Sequence, residues 1–501
     1  MRCKIIHLML GLILVLLLSV SVTIKASVTD DGYKQCEHTV KKWASSSADS
    51  EVKDDKHALR DLLFFLHVPR TGGRTYFHCF LKKLYSNSQE CPRSYDKLRF
   101  NPRKPNCRLL STHDDYSMMS KLPKEKTSVV TILRNPIDRV FSTYEFSVEV
   151  AARFLIHPNL TSVARMAKRT RRKTSGVSTL DIWPWKYLVP WMREDLFARR
   201  DSRRLRGQTH LVTNNSYDME DILMPLHEYI NDPIARDIIH NGATFQIAGL
   251  TNNSYFVEAH EVRHCVLKYH SLGEYVLEVA KKKLDDMLYV GLTENHKESA
   301  TMFANIVGAQ VISQHTISSS SADVAGNNDS EQLVSYFSEL QGNNTNQSLK
   351  NVSSTDKDEI ARGNLTVGKL TEAYESCISS LRNSQAERRV NSLKRIYPAN
   401  FTKEARRQVS EVLIQEITSL NSLDVELYNY AQYIFTKQQA HMTQSMVYDE
   451  RLASTLSTST YPSFYNSPYS KFVLLSITGL LFLLFVFFFV NSRRRTSKVK
   501  L

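Results

Sequence analysis

Leu62-Leu63-Phe64-Phe65-Leu66-His67-Val68-Pro69-Arg70-Thr71-Gly72-Gly73-Arg74-Thr75 decides how the rest of the chain is read. The run Leu62 to Val68 is short and apolar apart from His67, which suits a fully buried strand. Two glycines follow, and Thr75 to Leu84 then reads as a helix. Glycines let backbone N–H groups come close to an anion, and a helix N-terminus adds a favourable dipole. Arg70 and Arg74 bring fixed positive charge, and Thr71 and Thr75 bring hydroxyl donors. The loop is not that of a nucleotide triphosphatase, because G-x-x-x-x-G-K-[ST] is absent. A Gly-Gly pair after a strand is ordinarily just a tight turn. Strand, arginines, hydroxyls and helix together point instead to an anion site.

Working outward, strands and helices alternate. Arg108 to Thr112 reads as a short strand, Ser128 to Leu133 as a β-branched one, and Ile137 to about Arg153 as a helix. That alternation predicts an α/β fold with a central parallel sheet flanked by helices. Phe245-Gln246-Ile247-Ala248 and Met287-Leu288-Tyr289-Val290 read as further strands, and Glu294 onward as a helix. Ligands of open α/β sheets bind at the carboxyl ends of the strands. Three candidates fall at or just beyond that edge. His113 lies just past the second strand, beside Asp114 and Asp115, and is a candidate general base. Arg134 ends the third strand, and Ser142 sits about two turns into the next helix, whose first turn holds Pro136. An arginine and a serine so placed can clamp one phosphate.

The ends of the chain speak to compartment. Arg2 and Lys4 precede an apolar run from Ile5 to Ile24, then Ala26, which reads as a signal peptide; an uncleaved anchor is the alternative. Phe472 to Val490 is uncharged and long enough to cross a bilayer, and Arg493, Arg494, Arg495, Lys498 and Lys500 follow it. The implied topology is type I, with a lumenal body. Of seven cysteines, Cys3 falls in the leader; Cys36, Cys79, Cys91, Cys107, Cys265 and Cys377 suffice for three disulfides in any of fifteen pairings. They show no C-x-x-C spacing and no metal cluster. N-x-[ST] sequons begin at Asn159, Asn214, Asn252, Asn328, Asn343, Asn346, Asn351, Asn364 and Asn400. Net charge is +14, from 65 basic and 51 acidic residues. In a lumen this disfavours nucleic acid and favours anionic glycans, acidic peptides or anionic cofactors. Two basic clusters, Lys168 to Lys173 and Arg199 to Arg206, flank Trp183, Trp185 and Trp191 and read as solvated faces or as a rim for an acidic acceptor.

Several of these blocks resemble the heparan-sulfate 6-O-sulfotransferase family. The loop is similar to its H-x-x-K-T-G-G-T-T, and Arg134-Asn135-Pro136-Ile137-Asp138-Arg139-Val140-Phe141-Ser142 to its R-D-P-x-x-R-x-x-S. Val290-Gly291-Leu292-Thr293-Glu294 is similar to V-G-L-T-E, and Asp424 to Ala431 to D-x-x-L-Y-x-Y-A. The likeness spans roughly residues 60–310 and 415–435. A type I membrane chain with Arg in the loop further resembles the plant tyrosylprotein sulfotransferases.

That resemblance implies a P-loop-like sulfotransferase fold and 3′-phosphoadenosine-5′-phosphosulfate (PAPS) as donor, with no metal. The loop Arg70, Thr71, Gly72, Gly73, Arg74 and Thr75 would hold the 5′-phosphosulfate. Arg134 and Ser142 would hold the 3′-phosphate, and His113 would be the catalytic base. Arg70 stands where the family has Lys; it can stabilise charge but is a poor proton donor. The implied reaction gives tyrosine O-sulfate and PAP, on tyrosines beside acidic residues of secreted peptides or proteins. A glycan O-sulfotransferase and a non-catalytic lumenal binding protein are the alternatives. The expected layout is a signal peptide (1–26), a polar segment (27–57), the sulfotransferase core (58–310), a glycosylated loop or linker (311–366), a helical C-terminal part (367–445), a stalk (446–470), a transmembrane helix (471–490) and a cytosolic tail (491–501). The expected location is the Golgi membrane.

Overall fold

A computed structural model gives the fold, and it describes residues 31–47, 57–91, 107–173, 179–207, 215–314, 365–459 and 483–488. Four strands form one sheet: β1 (Leu62–Leu66), β2 (Leu109–Thr112), β3 (Thr127–Leu133) and β4 (Tyr289–Leu292). Their order is β2-β1-β3-β4 and every pairing is parallel. All residues of all four strands are buried. A parallel sheet is covered on both faces, which is why these segments read as continuous apolar runs and not as alternating ones. The register pairs Leu66 with Thr112 and with Thr131, and Leu133 with Leu292, so the strand ends converge on one edge.

The helices used below are α1 (73–84, with a π-helical turn at Phe77–Leu81), α2 (Pro136–Ala152), α3 (Gly242–Ala248), α4 (Gly273–Asp285), α5 (Val367–Leu393) and α6 (Ser422–Ser459). Helix α2 starts as its sequence predicts. Pro136 occupies the first turn, and the Asn135 side chain accepts from Ile137 N (3.0 Å) and Asp138 N (3.4 Å). Its Val140, Tyr144 and Val148, four residues apart, form one buried stripe against Leu188, Met192 and Leu196 of the helix Trp185–Arg206. Phe401, in the loop before the helix Lys403–Arg407, and Ile417, on the helix Glu411–Leu420, complete that cluster.

Two expectations are corrected. Phe245–Ala248 is not a strand but part of α3, and β4 begins two residues later than Met287. A short, fully buried apolar segment shows no periodicity that separates helix from strand. What decides α3 is its ends. Gly249, at φ 84°, closes it, and a carboxylate from Asp424 accepts the N–H groups of Ala243 (3.2 Å) and Thr244 (2.7 Å).

The disulfides are Cys36–Cys265, Cys79–Cys377 and Cys91–Cys107, so the second ties α1 to α5. The chain divides into two compact units, Met1–Gln439 and Ala440–Leu501. The first contains the sheet and all of the site described next. No helix among the described residues is long and apolar enough to cross a membrane. Of the apolar run 472–490, only 483–488 lies within the described residues, as a short helical piece. The leader, most of the Ser/Asn-rich segment and the basic tail lie outside them.

Candidate active site

The loop after β1 leaves ordinary backbone space twice. Arg70 has φ 68° and Gly72 has φ 84°. Glycine adopts this left-handed conformation readily, but in arginine it costs about 1–3 kcal/mol and persists only where the surroundings impose it. Here Arg134 Nη1 donates to the Arg70 carbonyl (3.3 Å), and Thr71, fully buried, donates its hydroxyl to Val68 O (2.8 Å). The Thr293 hydroxyl, just past β4, lies between the carbonyls of Thr71 (2.7 Å) and Leu133 (3.0 Å). Gly73 serves a different purpose. A β-carbon there would meet the His67 ring at 2.2 Å, so the second glycine is what lets that imidazole lie against the loop.

Three predicted residues gather on one side of the loop. Arg70 Nε donates to Ser142 Oγ (2.9 Å), and its guanidinium lies 4.4 Å over the Phe146 ring. Arg134 stands beside it. Its Nε is buried with no hydrogen-bond partner among the described residues, and Asp138 and Glu294 are 3.9 Å away. Burial, and then the neighbouring Arg134 charge, lowers the Arg70 pKa to about 10. Two guanidinium groups held side by side in a poorly solvated place, one with an unused donor, fit an anion such as a phosphate. Ser142, expected against Arg134, contacts Arg70 in this conformation.

Residues that sequence reading missed stand behind this pair. Glu145, on α2, is 3 % exposed as a side chain and pairs with Arg389 (2.9 Å) from α5 and Arg406 (2.7 Å). Arg406 also reaches Asp138 (3.0 Å). Burial pushes the Glu145 carboxyl up, but the bonds and charges of Arg406 and Arg389 outweigh it and hold it below its ordinary value. Nothing local in the sequence announces partners 244 and 261 residues away. The basic cluster Arg199 to Arg206 proves largely structural. Arg199 pairs with Asp195 and Glu228, Arg206 with Asp221, and the buried Arg200 donates to the carbonyls of His157 and Pro158.

His113, just past β2, is 8 % exposed. Its Nδ1 is 2.9 Å from the carbonyl of His67, and its ring stacks on that of His67 at 4.1 Å between centroids. A carbonyl only accepts, so Nδ1 carries the proton and the lone pair belongs to Nε2. Burial pushes the His113 pKa down to about 4; the His67 carbonyl opposes this, and the Arg70 charge adds to it. His67 is pushed well down too, by burial, by His113 and by Arg70 and Arg74. His113 is therefore neutral and able to accept a proton throughout the neutral range. The site thus brings a neutral imidazole and two guanidinium groups to one strained loop.

This parallel sheet and its first loop belong to a sulfotransferase domain: that family's model matches residues 35–179, which hold β1 to β3, the loop, His113, Arg134 and Ser142. A protein-tyrosine sulfotransferase of Arabidopsis thaliana is 59 % identical over 478 residues, 94 % of this chain and 95 % of that protein. The chain belongs to the protein-tyrosine sulfotransferase family.

Proposed function

We infer that this chain transfers a sulfuryl group from PAPS to the hydroxyl of tyrosine in peptides or proteins. The observation that carries this reading is the 59 % identity over nearly the whole chain, which includes the loop, the base and the arginine pair. PAPS, when bound, supplies the sulfuryl group, and its phosphates are the anion the cradle would hold. The orphaned Arg134 Nε and the Arg70–Ser142 pair fit such a group.

In this reading His113 Nε2 accepts the phenolic proton as the tyrosine oxygen attacks. A phenol of pKa ~10 is far easier to deprotonate than a sugar alcohol. Arg70 and the amides of Thr71, Gly72 and Gly73, with Arg74 and Thr75 at the start of α1, stabilise charge that develops on the leaving phosphate. Arg70 does so as a fixed charge, not as a proton donor. Arg134 and Ser142 hold the 3′-phosphate. Arg134→Ala accordingly weakens PAP binding about tenfold or more, the worth of one charge-assisted hydrogen bond of ~1.5–3 kcal/mol. Calorimetric titration with PAP checks this, and unchanged affinity removes Arg134 from the phosphate site.

We further propose that the acceptor tyrosine has acidic neighbours, in keeping with the net charge of +14 and with Lys168 and Arg169 exposed on the helix Leu160–Lys173. The same reading makes the enzyme a glycosylated, type I protein of the Golgi membrane, cleaved after its leader. Three disulfides favour such an oxidising compartment. The deciding assay offers radiolabelled PAPS to the purified lumenal protein with an Asp-Tyr peptide or heparosan in parallel. Label passes to the peptide; transfer to heparosan alone overturns the assignment.

A further inference from the structure

We propose that Gln246 is a positioning residue for the transfer: its side-chain amide holds His113 in the tautomer that presents a basic Nε2. Gln246 lies on α3 and is completely buried. Its Nε2 donates to the carbonyls of His113 (3.0 Å), Asp114 (3.2 Å) and His67 (3.3 Å). Three acceptors around one atom fix which end of the amide is nitrogen, since an oxygen there would face three oxygens. The His67 carbonyl is shared. It takes the Gln246 N–H and the His113 Nδ1–H, one for each lone pair. Gln246 thus pins the acceptor that orients the imidazole, and at the same time pins the backbone on both sides of His113.

The cost of this arrangement is visible. Gln246 Oε1 is buried without a hydrogen-bond partner among the described residues, which is destabilising. A methionine would fill the same space with no orphaned atom of its own, but would leave the three carbonyls without this donor. An amide at this place is therefore explained by its donors and not by its packing. The helix that carries it is held at both ends by buried polar side chains. Asp424 accepts from its first N–H groups, and Lys283 Nζ donates to Ala248 O (2.8 Å) at its last turn. Both match the helix dipole. Gln246 can accordingly neither slide nor rotate away from the three carbonyls.

The proposal rests on His113 being the base, so one readout must be independent of turnover. In Gln246→Met, kcat falls about tenfold to a hundredfold, in the range expected when a reacting group is displaced by about 1 Å. PAP affinity stays within twofold, which also certifies the fold. The 15N NMR spectrum of His113 in the same variant shifts from a single Nδ1–H tautomer to a mixture. Gln246→Glu supplies the second test. Three carbonyls and burial raise its carboxyl pKa, and only the protonated acid can donate. Its activity therefore rises as pH falls from 8 to 5.5, whereas the parent enzyme, with His113 near 4, stays flat there. The proposal is overturned if Gln246→Met keeps kcat within twofold, if its His113 tautomer is unchanged, if PAP affinity falls in step with kcat, or if the pH profile of Gln246→Glu parallels the parent. A fully active His113→Ala would sink the base reading alone, and the tautomer spectrum would still decide whether Gln246 governs the ring.

Discussion

His113→Ala lowers kcat by about 10²- to 10⁴-fold, the usual worth of a positioned general base, and leaves PAP affinity within a few fold. The two effects separate because the arginine pair and the His113 ring rest on different neighbours. Arg70 and Arg134 contact Ser142, Phe146, Asp138 and Glu294, whereas the His113 ring stacks on that of His67. Removing the imidazole leaves a gap against His67 and frees the His67 carbonyl that it bonded. The parent enzyme gives a matching pH signature. His113 has a depressed pKa of about 4, so its base form is complete at neutral pH and is lost only as pH falls through that value. Activity therefore keeps its plateau well below pH 6.5, where an ordinary histidine would already be protonated. Rapid-quench measurement of sulfate transfer across pH, with PAP titration of the alanine variant, checks both statements. Near-normal turnover of His113→Ala, or an acid limb centred near 6.5, excludes His113 as the base described.

Asp424→Ala destabilises the fold by about 3–5 kcal/mol, because it strands a buried cation. The Asp424 and Arg139 side chains are only 1 % and 3 % exposed, and they meet at 2.7 Å. Asp424 also accepts from Ala243 N, Thr244 N and Thr244 Oγ1, so its loss uncaps α3 as well. Arg139 then keeps only the Ile239 carbonyl (3.0 Å) as a hydrogen-bond acceptor for its guanidinium, and its Nε already has none. Because α3 carries Gln246, the folded fraction of Asp424→Ala also loses kcat. Replacing both charges, as Arg139→Met with Asp424→Leu, recovers much of the stability, since removing a whole buried pair is far cheaper than halving it. Urea melts of the parent and the single and double variants provide the measurement. A loss under ~1 kcal/mol for Asp424→Ala would show that water reaches the pair and screens it.

The contrast between these two residues shows what kind of information each rests on. His113 was legible because it follows Leu109–Thr112, and a buried parallel strand places whatever comes next at the ligand edge. Arg134 was legible for the same reason after β3, and Pro136 marked the helix that brings Ser142 back toward it. Asp424 stood inside a recognisable motif, yet nothing near it says that its carboxylate closes a helix 181 residues earlier. The place of His67 is hinted at by Gly73: a glycine that opens a helix leaves room for something against it.

The sequence by itself determined the parallel core, the glycine loop, the base and the arginine at the strand ends. These follow from local rules, the apolar run of a buried strand, the proline and asparagine that start a helix, and the edge at which parallel strands deliver their next residue. Only the tertiary structure decided that Phe245–Ala248 is helical, how the six cysteines pair, that Arg70 takes Ser142, and that Arg389, Arg406, Asp424 and Gln246 stand behind the site. Each of those outcomes depends on charges and carbonyls that meet only after chain segments far apart in sequence have packed, and burial then raises the penalty for leaving any of them unpaired. The loop from His67 to Thr75 is where the two kinds of information join. Its residues announce an anion, and the His67 carbonyl within it meets both the His113 ring and the Gln246 amide.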